Sequence, residues 1–201
     1  MRATAWRKYF EQQRKRHNKV LFTVTELANI AQASPATLNV ELARLRQQEI
    51  VVRYAHGLYG MPGVVSPQTL VAAIDPHAYI TGHYALYKHQ MVTQMPGTIT
   101  CFTDRRSPRA RERVTPVGRL VFVCVRGSVY FPVPAATIAP PAQALCDYVY
   151  LSRRCGAEPE ALVTFRNLAR IRAADLAPLF DRYPISVQRH VASLTHLDVL
   201  P

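Results

Sequence analysis

Between Phe22 and Pro62 the chain carries two helix-start signals, a break between them, and a run of strand formers after them. Few folds accommodate that order in about forty residues. Thr23 with Glu26 three positions on has the form of a capping box, which satisfies free amide donors at a helix start. Leu27 and Ile30 follow at helical spacing, and Ala28 and Ala31 are small enough for close packing. Gln32 and Ala33 make the break. Ser34 is a good N-cap, and Pro35 stands at the first helical position, where a missing N–H costs nothing. Leu38, Leu42 and Leu45 then fall in a narrow arc of a 3.6-residue period, which predicts the core-facing side of a second helix.

The opposite arc holds Ala36, Val40, Ala43, Arg44 and Gln47, with Thr37 and Asn39 on its flanks. Such a face is built from small and hydrogen-bonding residues and can approach base edges closely. Ile50, Val51, Val52 and Tyr54 are β-formers, and Leu58 and Tyr59 resume after Ala55-His56-Gly57. Gly57 suits the left-handed position of a short hairpin turn. Arg53 and His56 fall near the tip, where a cationic group can meet phosphate or a minor groove. The order predicts a winged helix-turn-helix, with Ser34, Ala36, Thr37, Asn39, Val40, Arg44, Gln47, Arg53 and His56 as DNA-binding residues. The same pattern also serves winged domains that bind only proteins, and charge is the extra weight.

The chain has 25 Lys and Arg against 13 Asp and Glu, a net charge of +12. A chain this basic is drawn to polyanions. The excess is shared evenly: residues 1–61 hold ten basic and four acidic side chains, and residues 62–201 hold fifteen and nine. Charge therefore does not single out the winged segment. A first helix is predicted from Thr4 to about Arg16. Trp6, Phe10 and Gln13 lie on one side of it, and a basic end continues to Lys19 and could touch phosphate.

With 201 residues and 49% hydrophobic content, the chain can bury one good core or two small ones. No apolar run reaches membrane-spanning length, and no apolar signal segment follows Met1-Arg2, so a soluble, cytoplasmic protein is expected. Cys101, Cys124, Cys146 and Cys155 have no CxxC spacing and read as scattered thiols. No metal or cofactor is expected.

Met61-Pro62-Gly63 closes the first domain, giving expected domains of 1–62 and 63–201. The second part begins with a helix near Pro67–Ile74, broken by Asp75-Pro76, and continues with a helix from Gly82 to Met91. Thr98–Thr103 and Arg119–Arg126 are β-rich, and Ser128–Val133 is a third candidate strand. An apolar helix follows Pro140-Pro141, with Ala144, Leu145, Tyr148 and Leu151 inward. Two short helices come last, near Arg172–Phe180 and Ser186–Leu194. The predicted class is α+β: an N-terminal winged helix-turn-helix, then a C-terminal domain with a small sheet wrapped by helices.

Three segments carry a resemblance. HGLYGMP closes the wing, YITGHYALYKHQMVTQMP is a helix with an alanine-leucine pair and a histidine ending at a proline, and IAPPAQALCDYVYL joins a proline, an alanine-leucine pair, an aspartate and a tyrosine-leucine. In order and spacing they resemble the AbiEi family, the antitoxin half of AbiE-type, type IV toxin–antitoxin systems, over about residues 22–151. The resemblance implies a repressor that binds inverted repeats of double-stranded DNA in its own promoter. It also implies an AbiEi-type C-terminal antitoxin domain that neutralises a nucleotidyltransferase-like toxin without needing a stable complex. DNA binding is the firmer of the two, because the C-terminal part is short for the family.

Other constellations point less far. Asp104, Glu112 and Asp147 invite a metal-nuclease reading, but Asp104 sits among arginines and Lys88 is the only lysine after residue 19, so salt pairing is favoured. Asp147, inside an apolar helix, is expected to cap or pair locally. His77, His83 and His89 read as structural histidines. There is no nucleophile frame and no phosphate-binding glycine loop, so no enzyme is expected. DRRSPRARER, residues 104–113, is expected to be an exposed loop or hairpin tip. Arg105, Arg106, Arg109, Arg111 and Arg113 in it suit phosphate or partner contact. The competing class is a winged transcription factor with a ligand- or protein-sensing C-terminal domain and no toxin partner.

Overall fold

Caps and turns set the first elements. The computed structural model describes residues 2–106, 111–132 and 137–197. Helix α1, Ala3–His17, ends at Asn18 in the left-handed conformation, with Arg14, Lys15, Arg16 and His17 in its last turn. Cations there complement the helix dipole. Strand β1 is Leu21–Thr23 and helix α2 is Val24–Ala31. The capping box is formed: Glu26 N–H donates to Thr23 Oγ1 at 3.2 Å, and Thr23 N–H donates to Glu26 Oε2 at 2.8 Å. Gln32 stops α2 at φ 49°. Helix α3, Pro35–Gln47, starts at Ser34, whose Oγ accepts from Thr37 N–H at 3.2 Å.

Strands β2, Val52–Ala55, and β3, Leu58–Gly60, form a hairpin, and β3 lies between β1 and β2 in an antiparallel sheet. Gly57 turns at φ 72°, and its carbonyl accepts from Val24 N–H at 3.1 Å, tying the turn to the start of α2. Gly60 is dictated by contact rather than by a special φ. A Cβ there would stand 2.4 Å from the Val20 carbonyl oxygen. Trp6, Phe10, Phe22, Leu27, Leu38, Leu42, Leu45, Ile50, Val51 and Tyr59 form one buried cluster, so α1, both following helices and the sheet share a core. Trp6 and Phe10 stack at 5.4 Å, and Phe10 meets Phe22 at 5.0 Å.

The chain divides into two compact units, Met1–Ile74 with Thr115–Val117, and Asp75–Val114 with Gly118–Pro201. The boundary thus falls after Ile74, not at residue 62. Residues beyond 62 are still held by the first sheet: Val65 is buried beside Gly60 and Tyr54. Helix α4, Pro67–Ile74, forms where expected but belongs to the first unit.

The second unit contains β4, Tyr79–Thr81, α5, Gly82–Lys88, β5, Ile99–Thr103, β6, Glu112–Thr115, apart from its last residue, and β7, Gly118–Cys124. The strand order is β4-β5-β7-β6, with β4 antiparallel to β5 and β5 parallel to β7. Helices α6, Pro141–Arg154, α7, Ala173–Phe180, and α8, Ile185–Thr195, follow, with single 3-10 turns at Pro159–Ala161 and Leu168–Arg170. α6 is buried continuously from Ala142 to Val149, not along one stripe, because it lies at the centre of the cluster that α5, α7 and α8 also enter. Of the expected third strand, Ser128–Pro132 is not a strand. Gly127–Val129 turns instead, with Val129 and Tyr130 N–H both bonding Arg126 O, and Val133 lies outside the described residues. α5 ends at Lys88 rather than Met91, because Gln90 takes φ 60° and Met91 drops into the core. The architecture is mixed α+β with two small sheets. No helix among the described residues is long and apolar enough to cross a membrane.

Candidate nucleic-acid interface

Helix α3 buries Leu38, Leu42 and Leu45 and turns the opposite side to solvent. Ala36, Thr37, Asn39, Val40, Ala43, Arg44 and Gln47 are all exposed, as is Arg46, which the sequence reading passed over. Ser34 is exposed too, but its oxygen is occupied by the cap and by the Thr37 hydroxyl at 3.0 Å. These two side chains fix the helix start, and Val40 stands alone among them as a large apolar group, 74% exposed.

The only carboxylate of α3 faces sideways and is engaged. Trp6 Nε1–H donates to Glu41 Oε1 at 2.8 Å, and Arg44 Nη2 lies 3.6 Å from the same oxygen. The buried indole of α1 thereby holds Glu41, and Glu41 aims Arg44. The link spans 35 residues, so spacing within α3 could not reveal it. The one signal was a buried tryptophan whose N–H requires an acceptor. Lys19 is less available to phosphate than its sequence position implied. It pairs with Glu26 and lies over the Phe22 ring at 5.4 Å. Partial burial pushes the Glu26 carboxyl up, but hydrogen bonds from Lys19 and Thr23 outweigh it and hold the carboxyl below its ordinary range.

At the hairpin, Arg53 and His56 are both exposed and touch each other. Arg53 Nη2 donates to His56 Nδ1 at 3.0 Å, and Arg53 Nε donates to Ala55 O at 3.4 Å. A register shift between Arg53 and Ala55 marks a bulge, which swings this end of β2. The guanidinium is therefore held at the turn instead of trailing free.

No protein-family model and no curated protein matches this chain. Its remaining candidate groups rest on geometry alone. Arg105 and Arg106 are exposed just past the end of β5, and Arg109 lies outside the described residues. The expected exposed loop is partly strand. Glu112 and Arg113 belong to β6, and the Arg111 carbonyl accepts from Phe122 N–H at 2.8 Å. Arg111 stays exposed, whereas Arg113 is half-buried with its guanidinium 4.9 Å over the Phe122 ring. Stacking on Phe122 drew this arginine into the sheet edge.

The three carboxylates of the nuclease reading have separate partners. Asp104 meets His77 Nδ1 at 3.5 Å and Glu112 meets Arg119 at 3.1 Å. Asp147 does not pair locally. It is fully buried and accepts from Thr81 Oγ1 and Tyr183 OH, each at 2.7 Å, partners 66 and 36 residues away. Burial pushes its carboxyl up to about 7, and the two hydroxyl donors offset only part of that. His83 Nε2–H donates to Gln94 O at 2.9 Å and His89 Nε2–H to Ala139 O at 2.8 Å, which fits structural histidines.

Glu158, Glu160 and His190 place ligand-type atoms within 4.8 Å of one another. Both imidazole nitrogens are already used. Arg153 Nη2 donates to Nδ1 at 2.9 Å, so the proton sits on Nε2, which donates to Glu160 at 3.1 Å. A cation would need the Nε2 lone pair. The group reads as an arginine–histidine–carboxylate chain.

Proposed function

We propose that this protein is a DNA-binding transcriptional repressor with a winged helix-turn-helix at its N-terminus, acting as the antitoxin of an AbiE-like operon. The element order α1-β1-α2-α3-β2-β3 supports the winged reading, with α3 as recognition helix and the β2–β3 turn as wing. The observation that carries it is the α3 face. It is exposed along its length, small at the centre, and free of carboxylates that are not already engaged. Arg44 and Arg46 border it, and Arg53 waits at the wing. Such a face suits a groove lined by phosphates, where phosphate contacts set position and base contacts set sequence.

In this reading the protein has no catalytic role. It represses its own promoter at inverted repeats and protects the cell from a nucleotidyltransferase-like toxin encoded beside it, with no stable complex required. The similarity of three colinear segments to AbiEi supports the antitoxin part. Two measurements test the proposal. Full-length protein titrated against its upstream promoter and against a scrambled duplex at fixed salt should prefer the promoter by a factor of about 10³ or more. Cells expressing the adjacent toxin should regain growth when the protein is co-expressed. Equal affinity for both duplexes sinks the repressor, and no rescue by a folded protein sinks the antitoxin.

A further inference from the structure

Among the exposed large apolar side chains of the described residues, Val40 is the one that stands on the outward face of α3. It is β-branched, sits mid-helix and is 74% exposed. Ala36 and Ala43 lie one turn to either side of it and are short, and Thr37 and Arg44, also one turn away, leave it open. The inward stripe of α3 already holds its three leucines, so Val40 adds nothing to the core.

We infer that Val40 reads thymine, packing its methyl groups against the C5-methyl in the major groove, and that the protein's binding site carries a thymine at that position. The inference rests on the proposal that α3 enters the groove. Its own basis is the chemistry of base edges. The thymine methyl is the one apolar group that the major groove displays. Against any other base a valine would cover a donor or acceptor without bonding it, and that costs free energy. A valine in this position therefore discriminates by penalty as well as by attraction. The short Ala36 and Ala43 side chains let the helix axis come close enough for a three-carbon side chain to reach the base.

A duplex is a better occupant than an apolar protein surface. The apolar spot is a single valine between alanines, far smaller than the patch that marks a protein interface. It is bordered by Arg44, and the Glu41 carboxylate is turned to Trp6 and Arg44. Positive charge around a small apolar centre complements thymine flanked by phosphates.

Uracil tests this directly, because it differs from thymine in lacking only the methyl group. Full-length protein is first used to select duplexes from a random pool. Each thymine of the selected site is then replaced singly by uracil, and Kd is measured at constant salt. One position in each half-site should weaken binding roughly fourfold, the value of one buried methyl. In Val40→Ala the same replacement should change Kd by less than about 1.5-fold, since the packing partner is gone. Val40→Ser is the second variant, and thermal melting should show both variants as stable as the parent, because position 40 is outside the core. If no sequence is selected, the groove reading of α3 fails and the inference falls with it. If a site is selected but no uracil weakens it, or if the uracil effect persists in Val40→Ala, this inference is overturned while DNA binding stands.

Discussion

Replacing Asp147 with Asn should flatten the pH dependence of stability. In the native protein the carboxyl is fully buried and pushed up to about 7, against 3.8 when unperturbed. Between those values the folded state holds a proton that the unfolded state has lost. Stability therefore falls as pH rises through this window. The contribution is complete below about pH 4 and gone above about pH 7. A difference of about 3 units at 1.36 kcal/mol each gives an upper bound of about 4 kcal/mol. The neighbouring Tyr183 hydroxyl and Cys146 thiol are pushed up by the same burial, so they stay neutral and do not titrate in this range. Asn keeps the shape. Its oxygen can accept one hydroxyl, and the other hydroxyl can rotate to accept from its NH₂. Urea denaturation of both proteins from pH 4 to 8 measures the effect as a difference, in which independent groups cancel. The two stabilities should draw apart steadily across the window, with Asp147→Asn the relatively more stable at pH 8. Parallel curves would refute a buried, proton-holding carboxyl.

If Arg53 contacts phosphate at the turn, as proposed, Arg53→Ala should lower affinity for all duplexes alike and reduce the salt slope by roughly one unit, read from Kd at several salt concentrations. Gly60→Ala should destabilise the first unit by about 1–3 kcal/mol in a thermal melt, since the new Cβ would stand 2.4 Å from the Val20 carbonyl oxygen and β1 must shift. Trp6→Phe keeps most of the core but strips Glu41 of its 2.8 Å donor, so promoter affinity should drop with Arg44 no longer aimed, and a melt should show a loss of about 1–3 kcal/mol.

Legibility followed the range of the interactions. The starts of α2 and α3 were readable because Thr23–Glu26 and Ser34–Thr37 are bonds between residues three apart. Strands β4 and β6 were missed for local reasons. β4 is three buried residues joined directly to a helix, too short for any period. β6 hides in an arginine-rich run, and its Val114 points outward at 80% exposure, against the alternation a sequence pattern relies on. The outward face of α3 was readable from its leucines alone. The aiming of Arg44 was not, because it depends on Trp6 in another helix. Asp147 was misjudged for the same reason: its partners come from β4 and from the turn between α7 and α8.

In the proposed repressor, sequence preference passes through α3. The most direct measurement is the ratio of promoter to scrambled-duplex affinity for the parent protein and for Arg44→Ala, at one salt concentration. Arg44 lies on the exposed face, so the variant should melt like the parent. The ratio should fall by a factor corresponding to about 1–3 kcal/mol, with preference relaxed at one position of each half-site. A parent protein with no preference, or an Arg44→Ala ratio equal to the parent's, would contradict it.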